Sequence, residues 1–375
     1  MSAITIDEDL VHYEVLGRGR PIILLHTWIG SWRYWIPLMR QLQMRYRVYA
    51  IDLFGFGDSS KNRQRYSIPK QIDLIHNFMN QLGVAKVALI AHGLGAQVAL
   101  EFTRRHTDRV ARILVTGAPL FDPGNLATRT PAGQRVLLTP GTPQLDLSKL
   151  GLGVLSAETQ PTASSLPPPQ TPSSPPAGNT PADTTASKPP AKPETPPTAA
   201  NPSDRLSNPA SSPVATPLRN QAVTIATIPP METIDNPLRL ALAGGMRNLL
   251  PRCFKHSEPE FERFQADIAK ADDTVLFETS EGFNASEFLD IIRSLKLPTV
   301  IVHGEEDPII PNPTDDVWNY LTIGNEELLL PVPLPGVRHF PMIEHEPFQR
   351  LVGLFLETPD VSKIEIKHRW RRRSR

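Results

Sequence analysis

A long central stretch of the chain contains no aromatic residue. From Asp122 to Cys253 there is no Phe, Tyr or Trp, although the chain holds 25 of them (14 Phe, 6 Tyr and 5 Trp). Proline is concentrated in the same stretch, since 17 of the 40 prolines lie between Pro161 and Asn220. Such a composition buries too little apolar surface to offset its ordering entropy. We therefore expect residues 122–233 to be a disordered insert rich in Pro, Ser, Thr and Ala.

The sequences on either side of this stretch are predicted to form one folded core. A long insert costs a folded domain little, because loop-closure entropy grows only with the logarithm of loop length. Residues 1–121 and 296–359 are the two expected parts of the core. Residues 234–295 are expected to be a small helical lid with its connection, and residues 360–375 a basic tail.

Continuous apolar runs alternate with amphipathic segments in both parts of the core. A helix is predicted to begin at Ser67 and to end at Gly83. Apolar runs without alternation indicate strands that are buried on both faces. The fold class is therefore α/β, with a doubly wound and mainly parallel sheet whose ligands bind at the carboxyl ends of the strands. Seven runs are the predicted strands: 11–15, 21–26, 47–53, 86–91, 112–115, 299–303 and 328–332.

The segment Ala91-His92-Gly93-Leu94-Gly95 joins a predicted strand to a predicted helix. Small residues at its first and last positions are typical of a sharp strand-to-helix turn that presents a nucleophile. The segment resembles the nucleophile elbow of the α/β-hydrolase family, except that Gly93 stands where that family has Ser, Asp or Cys. The resemblance implies an α/β-hydrolase fold with the insert at the lid position.

Other landmarks follow in the chain order of that family. The turn at 304–311 resembles the one that presents the triad acid, which makes Asp307 its candidate, and the loop at 336–341 resembles the one that presents the triad histidine, His339. The resemblance also implies an oxyanion hole made by the backbone N–H groups of Trp28 and Leu94. Thr27 replaces the usual glycine of that loop, and its β-branch is expected to misdirect the loop.

Glycine has no side-chain atom for covalent catalysis. We therefore expect a non-hydrolytic ligand-binding or scaffold derivative of the family, with Asp307 and His339 as the remaining catalytic-type pair. Two alternatives stay open. One is an active hydrolase of an ester or related bond, in which the pair activates water; the other is a cofactor-free lyase or oxygenase, in which the pair acts as the base. No metal or cofactor is predicted, and no residue is assigned to substrate binding. His92 and Cys253 are predicted to be packed side chains rather than substitute nucleophiles.

Charge and composition limit the partners. Lys+Arg and Asp+Glu both number 39, so the surface as a whole is not expected to bind nucleic acid. A small-molecule ligand or substrate is the expected partner, and the basic tail is a candidate for weak contact with an anionic membrane surface. The single cysteine and the lack of a long apolar run favour a cytoplasmic protein.

Overall fold

The computed structural model describes residues 2–129, 236–344 and 346–364. All seven predicted strands are present, and an eighth precedes them at the amino terminus. Most predicted bounds agree within one or two residues, because uninterrupted apolar runs mark buried strands clearly. The strands are β1 (Ser2–Ile6), β2 (Asp9–Leu16), β3 (Arg20–Leu25), β4 (Tyr46–Ile51), β5 (Val87–His92), β6 (Val110–Thr116), β7 (Thr299–Gly304) and β8 (Leu329–Leu334).

The strands form one sheet in the order β1-β2-β4-β3-β5-β6-β7-β8. β1 and β2 pair antiparallel, as do β2 and β4, and every other neighbouring pair is parallel. The chain passes from β3 to β4 on one side and then returns to β5 on the other side of β3. The carboxyl ends of β3 and β5 therefore form the switch point at which an open α/β sheet binds ligands.

Helices cover the sheet and its carboxyl edge. Within the described ranges they are α1 (Ile36–Leu42), α2 (Ile68–Gln81), α3 (Leu94–Arg105), α4 (Leu126–Arg129), α5 (Pro237–Ala241), α6 (Met246–Cys253), α7 (Pro259–Ile268), α8 (Thr274–Ser280), α9 (Ala285–Ser294), α10 (Asp315–Thr322), α11 (Pro341–Glu344) and α12 (Glu346–Glu357).

The helix predicted between Ser67 and Gly83 is α2. Its apolar stripe is buried, as the spacing of Ile72, Ile75 and Phe78 indicates. Gly83 follows the helix with φ +66°, a left-handed conformation that suits glycine. Ser67 occupies the capping position, but its side chain makes no capping hydrogen bond.

Two predicted boundaries need correction. The insert was placed from residue 122, but residues 122–129 pack on the core: Leu126 is buried, and Arg129 binds Asp290 at 2.7 Å. The tail was placed from residue 360, but Val361 and Ile364 are buried. In both places, a few apolar residues lie at the edge of a polar segment. The average composition of that segment is polar, so it does not reveal that these residues are buried. Residues 130–235 and 365–375 lie outside the described residues, so the disorder of the insert stays a prediction.

Candidate active site

The turn after β5 has the backbone of a nucleophile elbow. β5 ends at His92, α3 begins at Leu94, and Gly93 between them has φ +53° and ψ −111°. This conformation strains a residue that carries a Cβ. Gly95 is required for another reason, since a Cβ there would lie 2.6 Å from the Cβ of Leu25 on β3. The predicted elbow is therefore present, and its central residue is a glycine.

The two residues predicted to form a catalytic pair lie together. Asp307 follows β7, His339 follows β8, and their side chains are 1% and 0% exposed. The Nδ1 of His339 lies 2.7 Å from the Oδ2 of Asp307, whose Oδ1 accepts the N–H groups of Ile309 and Ile310. Burial opposes ionisation of Asp307, but His339, His303 and the N–H of Ile309 together outweigh it and lower the pKa of that carboxyl. Because a carboxylate only accepts hydrogen bonds, Nδ1 carries the ring proton and Nε2 is left as an acceptor.

Backbone contacts between the loops after β7 and β8 hold this pair in place. The N–H of Glu306 donates to the carbonyl of Val337 at 3.0 Å. A Cβ on Gly304, the last residue of β7, would overlap the carbonyl oxygens of Val337 and Arg338. Glycine at this position therefore allows the histidine loop to pack directly on the acid loop.

The acceptor nitrogen of His339 faces a hydroxyl that the sequence did not assign to the site. The Oγ1 of Thr27 lies 3.0 Å from the Nε2 of His339, and Thr27 is fully buried. A Cβ on Gly93 would overlap this Oγ1 and would lie 2.8 Å from the Cβ of Thr27. The Thr27 hydroxyl therefore fills the space in which a side chain at position 93 would begin. It also makes the hydrogen bond to histidine that an elbow nucleophile would make.

Thr27 fits its loop without backbone strain. The described non-glycine residues with positive φ are Asp7 and Glu8, so Thr27 does not need the conformational freedom of a glycine. Its N–H donates to the Oη of Tyr34 at 2.9 Å, and its carbonyl accepts from the Nδ1 of His26 at 2.8 Å. Both backbone groups of Thr27 therefore have partners, and the expectation that its β-branch misdirects the N–H groups of the loop stays a prediction.

Trp28 and Leu94, the predicted oxyanion-hole residues, directly follow Thr27 and Gly93 in the chain. Leu94 is the first residue of α3, so its N–H has no carbonyl one turn earlier to bind. Trp28 is buried, and its ring stacks on that of His339 with 6.2 Å between centroids. The structure places Trp28 against the histidine and Leu94 next to Gly93, and their part in binding an oxyanion stays a prediction.

A paired departure from the family pattern was the signal that could have found Thr27. The loop after β3 has threonine where the pattern has glycine, and the elbow after β5 has glycine where the pattern has a nucleophile. Leu25 pairs with Ala91 in parallel, so the two departures lie at neighbouring strand ends. Taken together, they indicate that the side chain missing at Gly93 is replaced by the side chain of Thr27 in the same site.

Other histidines around the pair are buried and uncharged. Burial lowers the pKa of His26 and of His92, and it lowers that of His303 to about 4. The ring centroids of His92 and His339 are 4.4 Å apart. A neutral, buried His92 supports the prediction that it is a packed side chain. Among these neighbours of His339, Asp307 is the charged one.

Aromatic side chains from the lid helices close over the site. Phe264 on α7 lies 4.6 Å from Phe340, between ring centroids, and Phe254 at the end of α6 lies 5.0 Å from it. Tyr34 packs edge-on against the same ring at 5.5 Å. The neighbouring Cys253 is buried, and burial raises the pKa of its thiol well above the usual value, which supports a packed thiol rather than a nucleophile.

A cluster of His12, Asp52 and Asp58 brings three potential metal ligands within 4.8 Å of one another in the described part of the chain. The buried Asp52 carboxylate, however, already accepts from the N–H of Trp32 at 2.9 Å, from the N–H of Asp58 at 3.1 Å and from His12 at 2.9 Å. These contacts hold the turn after β4, and a structural role explains the cluster fully.

The strand order and the elbow between β5 and α3 define an α/β-hydrolase fold. Residues 20–158 match the family model of the α/β-hydrolase fold. Among solved structures, the enol-lactonase from Burkholderia xenovorans LB400 is similar with a TM-score of 0.55 and 14% identity, over 95% of this chain and 99% of that one. This likeness concerns the fold.

Curated relatives match a shorter segment. The soluble epoxide hydrolase of Corynebacterium sp. (strain C12) is 33% identical over 105 residues, which is 28% of this chain and 37% of that protein. The putative carbamate hydrolase RutD of Caulobacter vibrioides is 33% identical over 112 residues, which is 28% of this chain and 42% of that protein. The matches thus span about two fifths of these relatives.

Proposed function

We propose that this protein is a hydrolase of a neutral acyl compound such as an ester, with His339 as the general base and Asp307 as the residue that orients it. One observation carries the proposal: the histidine bridges a buried carboxylate at 2.7 Å and a hydroxyl at 3.0 Å. These are the distances over which a base takes a proton and is oriented by a third group.

The electrostatics of the pair support this role. The hydrogen bond to the ionised Asp307 fixes the proton on Nδ1 and stabilises the imidazolium that forms when Nε2 takes a proton. The buried, uncharged histidines around the pair add no competing positive charge. The names of the matched relatives, an epoxide hydrolase and a putative carbamate hydrolase, also support hydrolysis.

The surroundings favour a substrate with an apolar group next to its carbonyl. Trp28 and Phe340 contact the His339 ring, and Phe254 and Phe264 pack on Phe340. All four side chains are buried, so a substrate reaches this aromatic surface only when they move. Such surface binds acyl or aryl groups by apolar contact. Short, uncharged esters are therefore the probes of choice.

The test is turnover of p-nitrophenyl acetate and p-nitrophenyl butyrate by the full chain, by His339→Gln and by Asp307→Asn. General base catalysis contributes about 10²–10⁴-fold, so His339→Gln should lose at least about 100-fold. His106→Gln is the matched control, because His106 follows the far end of α3, about 18 Å along the helix from Leu94. Turnover that is absent, or equal in His339→Gln and the control, contradicts the proposal.

A second candidate is the non-hydrolytic ligand-binding or scaffold protein, and the packing at the elbow favours it. Thr27 and Trp28 are 0% exposed, and a Cβ on Gly93 would lie 3.0 Å from the Trp28 ring. In this arrangement an acyl group reaches Gly93 only if those side chains move. The Thr27 hydroxyl would then serve to satisfy the buried Nε2 of His339. Full-length protein without His339-dependent turnover supports this candidate.

Location stays a prediction. None of the helices in the described ranges combines the length and apolarity that crossing a bilayer requires. A cytoplasmic location, and contact of the basic tail with anionic membranes, are proposals from composition. Sedimentation of the intact protein with anionic vesicles at low salt tests the second.

A further inference from the structure

The two positions that depart from the hydrolase pattern meet in space. Gly93 lies one residue beyond β5, Thr27 lies two residues beyond β3, and these strands are parallel neighbours. A Cβ on Gly93 would overlap the Oγ1 of Thr27. The missing side chain at one strand end is therefore replaced, in the same volume, by the side chain from the next.

The hydroxyl of Thr27 has the contacts of an activated nucleophile. It lies 3.0 Å from the Nε2 of His339, within the range of about 2.6–3.2 Å for a nucleophile and its base. The base is in turn held by Asp307 at 2.7 Å. Three side chains from three loops thus form a continuous Thr-His-Asp chain, in which the hydroxyl comes from the loop after β3.

The backbone of Thr27 is fixed on both sides, which directs its side chain. The Oη of Tyr34 accepts the Thr27 N–H, and His26 donates to the Thr27 carbonyl. His26 is itself held, because its Nε2 accepts the N–H of Leu53 at 3.0 Å. A β-branched side chain has few rotamers on a fixed backbone, so Oγ1 is pre-positioned toward His339.

We propose that Thr27 is the catalytic nucleophile of this protein; this inference rests on the hydrolase function proposed above. His339 Nε2 takes the proton of Thr27 Oγ1 as that oxygen bonds to the ester carbonyl carbon. The carbon–oxygen bond to the alcohol breaks, and the alcohol leaves with the proton from His339. Water then attacks the acyl-Thr27 ester and gives a proton to His339. Thr27 departs and regains that proton, so that one ester and one water yield one acid and one alcohol.

The methyl group of Thr27 restricts the substrates that this nucleophile can use. A secondary hydroxyl in a fully buried position leaves little room beside the attacked carbonyl carbon. Small acyl groups are therefore the expected class, and acetate esters should react faster than butyrate esters. Thr27→Ser removes the methyl group but retains the hydroxyl, and it should reduce or abolish this preference.

The experiment compares the full chain with Thr27→Ser, Thr27→Val and His339→Gln. Each is assayed with p-nitrophenyl acetate and treated with methanesulfonyl fluoride, a reagent about the size of an acetyl group, which sulfonylates an activated hydroxyl as fluoride and the proton leave. Peptide mass spectrometry with fragmentation separates Thr27 from the nearby Ser31. An adduct on Thr27 in the full chain and on the serine of Thr27→Ser is expected. Valine has the shape of threonine without its hydroxyl, so Thr27→Val should lose the adduct and at least about 100-fold in turnover.

Two results overturn the inference, and they differ in what they imply. If turnover requires His339 but is unchanged in Thr27→Val, and no adduct forms on Thr27, the pair activates water directly and the hydrolase function stands. If the full chain shows neither turnover nor adduct, both the nucleophile and the hydrolase function are wrong. Should Thr27→Val fail to fold, as judged by circular dichroism, the presence or absence of the adduct in the full chain still decides.

Discussion

The turn after β5 and the loop after β3 meet at one edge of the sheet, and they carry complementary parts of a single site. The turn has the backbone of a nucleophile elbow, with φ +53° at Gly93, but no side chain. The loop has an ordinary backbone at Thr27 and a side chain that enters the space above the elbow. The comparison teaches that the hydroxyl group beside His339 can come from the loop after β3 when the turn after β5 carries no side chain.

The two regions also differ in how tolerant they are of change. At the elbow, a Cβ on Gly93 or Gly95 meets atoms closer than packing allows. In the loop, Thr27 donates a hydrogen bond to Tyr34 and accepts one from His26, and a single substitution removes only one of the two. Changes at the elbow should therefore cost more free energy of unfolding than changes in the loop.

Gly93→Ser should show the largest effect. The positive φ costs about 1–3 kcal/mol for a residue with a Cβ, and overlap with Thr27 adds about 1–3 kcal/mol. Adding Thr27→Gly removes the overlap, so the double variant should be more stable than the sum of the single effects predicts, by at least about 1 kcal/mol. Urea denaturation of the four proteins measures this coupling. Additive effects would show that the two positions do not compete for one space.

Acidification should weaken both regions, because each contains a buried neutral histidine. Burial lowers the pKa of His26 in the loop and of His92 at the elbow, and it lowers that of His303 from 6.5 to about 4. The unfolded chain therefore binds more protons than the folded one below about pH 6.5. Stability should be full above that pH and should fall toward pH 4, with about 3 kcal/mol from His303 alone.

The measurement is the free energy of unfolding at intervals between pH 7.5 and pH 4, for the full chain and for His303→Asn. The variant should show a shallower fall. Equal slopes would mean that His303 takes up its proton in the folded state. Asp307 acts in the same sense but at lower pH: since its folded pKa is lowered, it stabilises the fold above its ordinary pKa of 3.8 and loses this effect as the pH falls below that value.

Tyr34→Phe should change the free energy of unfolding less than Gly93→Ser or acidification does. It removes the hydroxyl group that joins Thr27 in the loop to His92 at the elbow. The Tyr34 hydroxyl accepts the Thr27 N–H at 2.9 Å and lies 3.2 Å from the Nδ1 of His92. Removing it leaves a buried N–H without a partner, which costs about 1–3 kcal/mol. Tyr49→Phe is the matched control, because Tyr49 packs on Phe78 through its ring. A loss no larger than in the control would show that the Thr27 loop does not depend on this contact.

Much of the fold could be predicted from the sequence, since the strands from β3 to β8 are buried over most of their length and contain apolar runs. Asp307 and His339 were predicted from the resemblance of their loops to the acid and histidine loops of the α/β-hydrolase family, and the structure places the two side chains in contact. The ends of the insert and the tail were harder. Single buried residues such as Leu126 and Val361 hold those segments against the core. Because a single apolar residue gives no periodic pattern, the sequence does not reveal that these segments are ordered.

The sequence by itself determined the layered α/β architecture, because apolar runs and amphipathic stripes are local patterns, and its resemblance to the α/β-hydrolase family pointed to the elbow at Gly93, to Asp307 and to His339. Only the tertiary structure decided what faces His339. Thr27 and His339 are 312 residues apart, and their 3.0 Å contact exists because β3 lies beside β5 and the loop after β8 folds back over the sheet edge. No local pattern encodes a distance between strand ends, so the two departures at Thr27 and Gly93 become one site only in three dimensions.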